Sequence, residues 1–186
     1  MKSKIRCDWV GDLPIYIEYH DNEWGHPVYD DTKLFEMLVL ESMQAGLSWI
    51  TILKKRENFR LAFDDFNPNL IANYDQNKIE ELMQDTGIIR NRMKIEATIN
   101  NAKLFLEITK NRSFNDLIWS YVNYQPIIGN WERIDDLPAS TPLSDKISKD
   151  FKKMGFKFLG TTTIYAFMQA CGLVNDHLNS CFLKAK

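Results

Sequence analysis

The sequence predicts an all-α protein, and three observations carry that prediction. Apolar residues recur at helical spacing along most of the longer segments, Ser, Thr and Asp stand where those segments begin, and strand-like alternation is scarce. The first clear element is DDTKLFEMLVLESMQAG, in which Leu34, Phe35, Leu38, Val39 and Met43 share one helical face, with Asp31 as the N-cap and Gly46 as the stop. Ser48 then caps a second helix, WITILKKRENFRLAF. After a proline-containing break at FNPN, helical patterns run over 75–85, 91–110 and 114–123.

The stretch from Gln125 to Pro142 holds Pro126, Gly129, Pro138 and Pro142, and reads as a long connection between two helical groups. It makes a soft boundary inside one expected domain spanning 1–186. Beyond it, SDKISKDFKKMG and TTTIYAFMQACG predict two helices capped by Ser144 and Thr161 and joined by the short link FKFLG. No internal repeat or low-complexity segment interrupts this order.

Composition narrows the function classes. Of 186 residues, 45% are hydrophobic and 26% charged, which suits a folded globular chain rather than a fibrous or disordered one. The start, MKSKIRCDW, lacks the apolar centre of a signal peptide, and no apolar run is long enough to span a bilayer, so a cytoplasmic protein without membrane contact is expected. Three cysteines are an odd number for a disulfide framework and favour free thiols or metal ligation. The net charge of −2 excludes a whole-surface grip on nucleic acid, so any such contact must be local. Three basic clusters can supply it: Lys54-Lys55-Arg56, Arg90 to Lys94, and Lys152-Lys153 with Lys157. Solvated helix faces would look the same.

His177 and Cys181 stand four apart, so on a helical turn both reach one ion, and Cys7 and His20 offer a second pair of the same types. The four together suit closed tetrahedral coordination of zinc, although spacing alone equally allows an unrelated thiol and imidazole at each end. Cys171, in an apolar segment, reads as a core thiol. The first fifty residues also hold Trp9, Tyr16, Tyr19, Trp24 and Trp49. These serve as core packing or as the flat walls of a pocket for an extruded nucleobase, where a cationic base gains a cation–π contact.

Glu41 falls on the apolar Leu38, Leu40, Met43 side of its helix, an expensive place for a carboxylate unless a salt bridge or a ligand compensates it. Leu47, after Gly46, is either core or an apolar wedge for a base stack. In GFKFLGTTT, the amides from Gly160 and Thr161 onward can receive a phosphate beside Lys153 and Lys157, or can simply begin a helix.

The segments RCDWV, YIEYHDNEWG, LESMQAGLSWITILKKREN, GIIRNRMKIEATINNA, WSYVN, GFKFLGTTT and FMQACGLVNDHLNSC, in this order, closely resemble the DNA-3-methyladenine glycosylase I family, a branch of the helix-hairpin-helix DNA glycosylases. The resemblance spans nearly the whole chain. It implies a helix-hairpin-helix fold of two helical lobes, with one structural zinc held by Cys7, His20, His177 and Cys181. It further implies a base pocket with Glu41 at the base edge as the catalytic-site residue, Tyr19 as a polar contact, and Trp9 and Trp49 as walls. Gly46 and Leu47 resemble the family's probe into the gap left by a flipped nucleotide, and the residues themselves make Lys157, Gly160 and Thr161 the expected DNA-backbone anchor.

The expected activity is hydrolysis of 3-methyladenine from double-stranded DNA by a monomer, with the free base as product and an abasic site left behind. Met43 departs from the glutamine or histidine that relatives often carry, which predicts a change of packing only. Asp176 follows Asn175 where related glycosylases place a catalytic aspartate, but this branch does not rely on that carboxylate. The competing readings are a zinc-tied helical module that binds lesions without chemistry and a purely structural helical protein.

Overall fold

The computed structural model describes residues 4–184, and its helices follow in the order α1 (Pro14–Asn22), α2 (Asp31–Gln44), α3 (Trp49–Ala62), α4 (Pro68–Ile71), α5 (Gln76–Gln84), α6 (Arg92–Thr109), α7 (Phe114–Ser120), α8 (Pro142–Met154) and α9 (Thr161–Ala170). Helix α1 lies outside the sequence expectation because PIYIEYHDN has no clean apolar stripe. Pro14 at its first position supplies a preset φ and lacks an N–H that would go unpaired there. Among the described residues, no helix is long and apolar enough to cross a membrane.

Helix α2 is the centre of the molecule. Leu34 to Met43 are all buried, not just the face expected from the pattern, because α3, α6, α7 and α9 pack around it. The helix is therefore a core element that carries two carboxylates, Glu36 and Glu41, into the interior.

Three caps differ from expectation by one to three residues. Asp30, not Asp31, caps α2 by accepting from Lys33 N at 2.7 Å. Asp31 is thereby released to accept from Phe114 N at 3.0 Å and Asn115 N at 2.7 Å, satisfying first-turn amides of α7 more than 80 residues away. Thr141 caps α8 reciprocally with Ser144, which sits three residues inside. Gly160 is the N-cap of α9, with no side-chain cap among the described residues, and Thr161 is the first helical residue. In each case neighbouring oxygen-bearing residues offer the same local signal, and tertiary contacts select among them.

The long connection 125–142 is anchored by a short parallel pairing of β1 (Ile127–Ile128) with β2 (Val174–Asn175), Ile127 opposite Val174. The N-terminal segment is strapped to the C-terminal one by Gly25 N to Gln169 O at 2.9 Å, Val28 N to Cys171 O at 3.0 Å and Phe182 N to Ile5 O at 2.9 Å. This strap brings residues 7 and 20 beside 177 and 181, although 177–181 forms a turn and not the helical turn expected.

Candidate functional site

Cys7, His20, His177 and Cys181 are all buried and point one ligand atom each into a common space, with every pair of those atoms within 4.8 Å. Cys7 Sγ lies 3.6 Å from His177 Nδ1, and Cys181 Sγ lies 3.5 Å from both His20 Nε2 and His177 Nδ1. Two ligands on tetrahedral bonds of about 2.0–2.3 Å stand roughly 3.5 Å apart, so the spacing fits a four-coordinate metal ion.

The outer nitrogens are also committed. His20 Nδ1 is 2.9 Å from Asp21 Oδ1, and His177 Nε2 is 3.0 Å from Trp24 O, which fixes each ring so that the inward nitrogen carries a lone pair. Burial lowers the pKa of both imidazoles, His177 to about 4, and so keeps them neutral as ligands must be. The same burial pushes the Cys7 thiol up to about 12, a tendency that a bound divalent cation reverses by taking the thiolate. Gly25, at φ +77, leaves room for His177, since a Cβ there would stand 3.0 Å from its Nε2. Cys171 lies outside the cluster, fully buried in the core.

Against this cluster stands an aromatic pocket of about 240 Å³. Trp9, in a short 3-10 turn, packs 5.2 Å from Trp24 and 5.5 Å from the His20 ring, and Trp24 packs 4.7 Å from His177. The cluster's two imidazoles therefore back two walls of the pocket. Tyr19 and Trp49, 5.5 Å apart, form another side, and Trp49 Nε1 is buried with no hydrogen-bond partner among the described residues. Such an orphan indole N–H is a donor waiting for a ligand or an ordered water.

At the base of the pocket, Glu41 is 3% exposed. The contrast with Glu36 on the same helix is instructive. Glu36 accepts from Arg60 Nε and Nη2 at 3.0 and 2.8 Å and from Lys33 Nζ at 3.1 Å. No side chain donates to Glu41 among the described residues, and burial raises its pKa to about 8. An unpaired carboxyl at the floor of an aromatic box fits a ligand that brings its own positive charge or hydrogen-bond donors.

The sequence reading did not assign the rest of the lining. Gln44 lies one helical turn beyond Glu41 on the same face, a spacing that could have revealed it. Ile134 and Leu137 arrive from the long connection, and Ala166 and Gln169 from α9, with no local signal. Gln169 Nε2 donates to Asp176 Oδ2 at 2.8 Å, and Asp176 also accepts from Trp131 Nε1 at 2.6 Å and Tyr165 OH at 2.5 Å. That buried carboxylate is fully engaged in joining the connection to α9.

Just beyond the pocket, α2 ends in an exposed turn holding Gly46, at φ +82, and Leu47, 39% exposed. The link between α8 and α9 carries exposed Lys157 and Gly160 ahead of the uncapped amides that begin with Thr161. The side chain of Asn101 clasps this link, accepting from Lys157 N and donating to Lys157 O, both at 2.9 Å. The basic clusters divide. Lys152, Lys153 and Lys157 are exposed, whereas Arg56 pairs with Glu23, Lys55 donates to Thr86 O and Gly87 O, and Lys94 is buried.

The family profile described as methyladenine glycosylase matches residues 9–184. The chain is 54% identical over 177 residues to DNA-3-methyladenine glycosylase 1 of Escherichia coli (strain K12), covering 95% of each sequence. Its structure is similar to the crystal structure of 3-methyladenine DNA glycosylase I at a TM-score of 0.95 and 55% identity, covering 97% of this chain and 100% of that one. It is also similar, at a TM-score of 0.93 and 41% identity, to a tyrosine-to-phenylalanine variant of 3-methyladenine DNA glycosylase I in complex with 3-methyladenine, covering 97% of this chain and 98% of that one.

The burial of Glu41 has a thermodynamic signature. Its pKa is raised from the ordinary 4.5 to about 8 in the folded protein, so the stability it contributes is present below about 4.5 and is lost as pH rises through 8. Relative to Glu41→Gln, the native protein is expected to lose roughly 1.4 kcal/mol for each pH unit across that window. Urea denaturation of both proteins between pH 5 and pH 8 measures this. Parallel stability curves would contradict an unpaired, dehydrated carboxyl.

Proposed function

The chain belongs to the methyladenine glycosylase family, and we propose from that premise that it hydrolyses the N-glycosidic bond of 3-methyladenine in alkylated double-stranded DNA. The free base is released, and an abasic site remains in an unbroken strand. The observation that carries this reading is the unpaired Glu41 carboxyl on the floor of an aromatic pocket. Methylation at N3 makes the adenine cationic within DNA, so the lesion brings the charge that the protein withholds from Glu41. Ionising a carboxyl of pKa about 8 at pH 7 costs about 1.4 kcal/mol, just below the roughly 1.5 to 3 kcal/mol that a hydrogen bond to a charged group contributes.

In this mechanism Trp9 and Trp49 stack against the flipped base, the free Trp49 N–H and Tyr19 hydroxyl offer polar contacts to its edge, and Glu41 meets its exocyclic amine and its charge. The C1′–N9 bond breaks with its electron pair moving into the purine, which neutralises the cation. Water then forms the new C1′–O bond and loses a proton to solvent. A base that leaves this readily needs selection and orientation more than a strong general base. The engaged state of Asp176 agrees with a route that does not use it.

Leu47, beside Gly46, enters the gap left by the base, and Lys157 with the amides at Gly160 and Thr161 holds a backbone phosphate. The link between α8 and α9 then plays the part of the hairpin in a helix-hairpin-helix fold. One zinc ion per chain is held by Cys7, His20, His177 and Cys181, and with four protein ligands it has no open position for water. Its role is to tie the chain ends. The chain acts as a cytoplasmic monomer.

Incubating methylated duplex DNA with the protein and chromatographing the released bases tests the activity, with 3-methyladenine expected among them. A folded Glu41→Gln protein is expected to excise roughly ten- to a hundredfold more slowly in single turnovers, the equivalent of about 1.5 to 3 kcal/mol. Excision at the native rate would remove Glu41 from the mechanism.

The metal reading is tested separately. Elemental analysis of protein purified without added metal should find one zinc per chain, and Cys181→Ser should lower stability more than the activity of the molecules that remain folded. Less than about half an equivalent of zinc would contradict a four-ligand structural site.

A further inference from the structure

Lys94 belongs to a stretch that its charges mark as surface, yet it is only 6% exposed. It stands in the first turn of α6, and its ammonium crosses to the end of α2, where it donates to Met43 O and Ala45 O, each at 2.7 Å. These carbonyls lie where α2 runs out of helical partners, at the negative end of its dipole. A lysine is rarely buried without a carboxylate to meet it, and here backbone oxygens take that place. Burial lowers its pKa.

What Lys94 holds is a single short segment, 41–49. It begins with Glu41 and Gln44 in the pocket, passes through the exposed turn with Gly46 and Leu47, and ends with Trp49 on the pocket wall. The turn is braced from within by Leu47 N to Gln44 O at 2.7 Å and Gln44 Nε2 to Leu47 O at 2.8 Å. Lys94 fixes its entry from beneath. The left-handed Gly46 lets the chain reverse there, and without an external tether such a turn has little to set its height above the pocket.

We propose that Lys94 is a positioning residue for base excision: its ammonium holds the Gln44–Ser48 turn at the height from which Leu47 fills the gap in the DNA while the base occupies the pocket. Lys94 itself touches neither base nor phosphate. The proposal rests on the reading of Leu47 as the wedge, and it predicts that Lys94 acts through Leu47.

Lys94→Met removes the ammonium while keeping the apolar stem. Single-turnover excision from methylated duplex and affinity for free 3-methyladenine would be measured for Lys94→Met, Lys94→Arg, Leu47→Ala and the Lys94→Met/Leu47→Ala double variant. Lys94→Met is expected to slow excision roughly tenfold or more, to leave base affinity within about twofold of the native value, and to add less than about twofold to the defect of Leu47→Ala. Lys94→Arg is expected to recover part of the rate.

Native excision by Lys94→Met would overturn the proposal, as would effects of the two substitutions that multiply, or a fall in base affinity that tracks the fall in rate. If neither Lys94 variant folds, Lys94 serves the fold and the proposal fails. A Leu47→Ala protein with the native rate would instead overturn the wedge reading, and this proposal with it.

Discussion

Glu41 sits on a helix buried from Leu34 to Met43, and among the described residues no side chain donates to its carboxyl group. The same helix shows what the fold does with a carboxylate it intends to neutralise, since Glu36 receives Arg60 and Lys33. Leaving Glu41 unpaired costs stability as pH rises from the ordinary carboxyl value toward 8, a cost that the proposed base would offset by bringing charge or a hydrogen-bond donor. The surrounding architecture serves that arrangement. Burial keeps the Glu41 carboxyl from water, so a base that brings neither positive charge nor a hydrogen-bond donor offers no compensation for ionising it.

The walls in turn depend on the chain ends. Trp9 and Trp24 come from a segment with little core of its own, and they lean on the rings of His20 and His177. A metal ion held by the Cys7, His20, His177 and Cys181 cluster would act on the pocket through rigidity, separated from it by the tryptophans. The engaged Asp176 does similar work on the other side, joining the connection that contributes Ile134 and Leu137 to the helix that contributes Gln169.

Much of this was legible in the sequence where the signal is local. The helices that carry a clean apolar stripe, and the buried position of Glu41, follow from periodicity alone. The pairing of Cys7 and His20 with His177 and Cys181 was legible as residue types, but the resemblance to a family was needed to join them. What escaped depends on partners distant in sequence. Asp31 looked like a cap for its own helix and instead serves α7. Lys94 looked like part of a surface patch because nothing near it in the chain reveals the carbonyls of Met43 and Ala45. Helix α1 lacked a stripe, and Gln169 carries no mark that places it beside a pocket formed mainly by the first fifty residues.

The central claim is that a dehydrated, unpaired carboxyl waits for a charged or proton-donating base. The most direct measurement is a carbon-13 NMR titration of the Glu41 carboxyl, in the free protein and with 3-methyladenine bound. The account predicts a midpoint near 8 in the free protein and a fall of at least about one unit when the base binds. A free-protein midpoint near the ordinary 4.5, or a midpoint that does not move on binding, would contradict it.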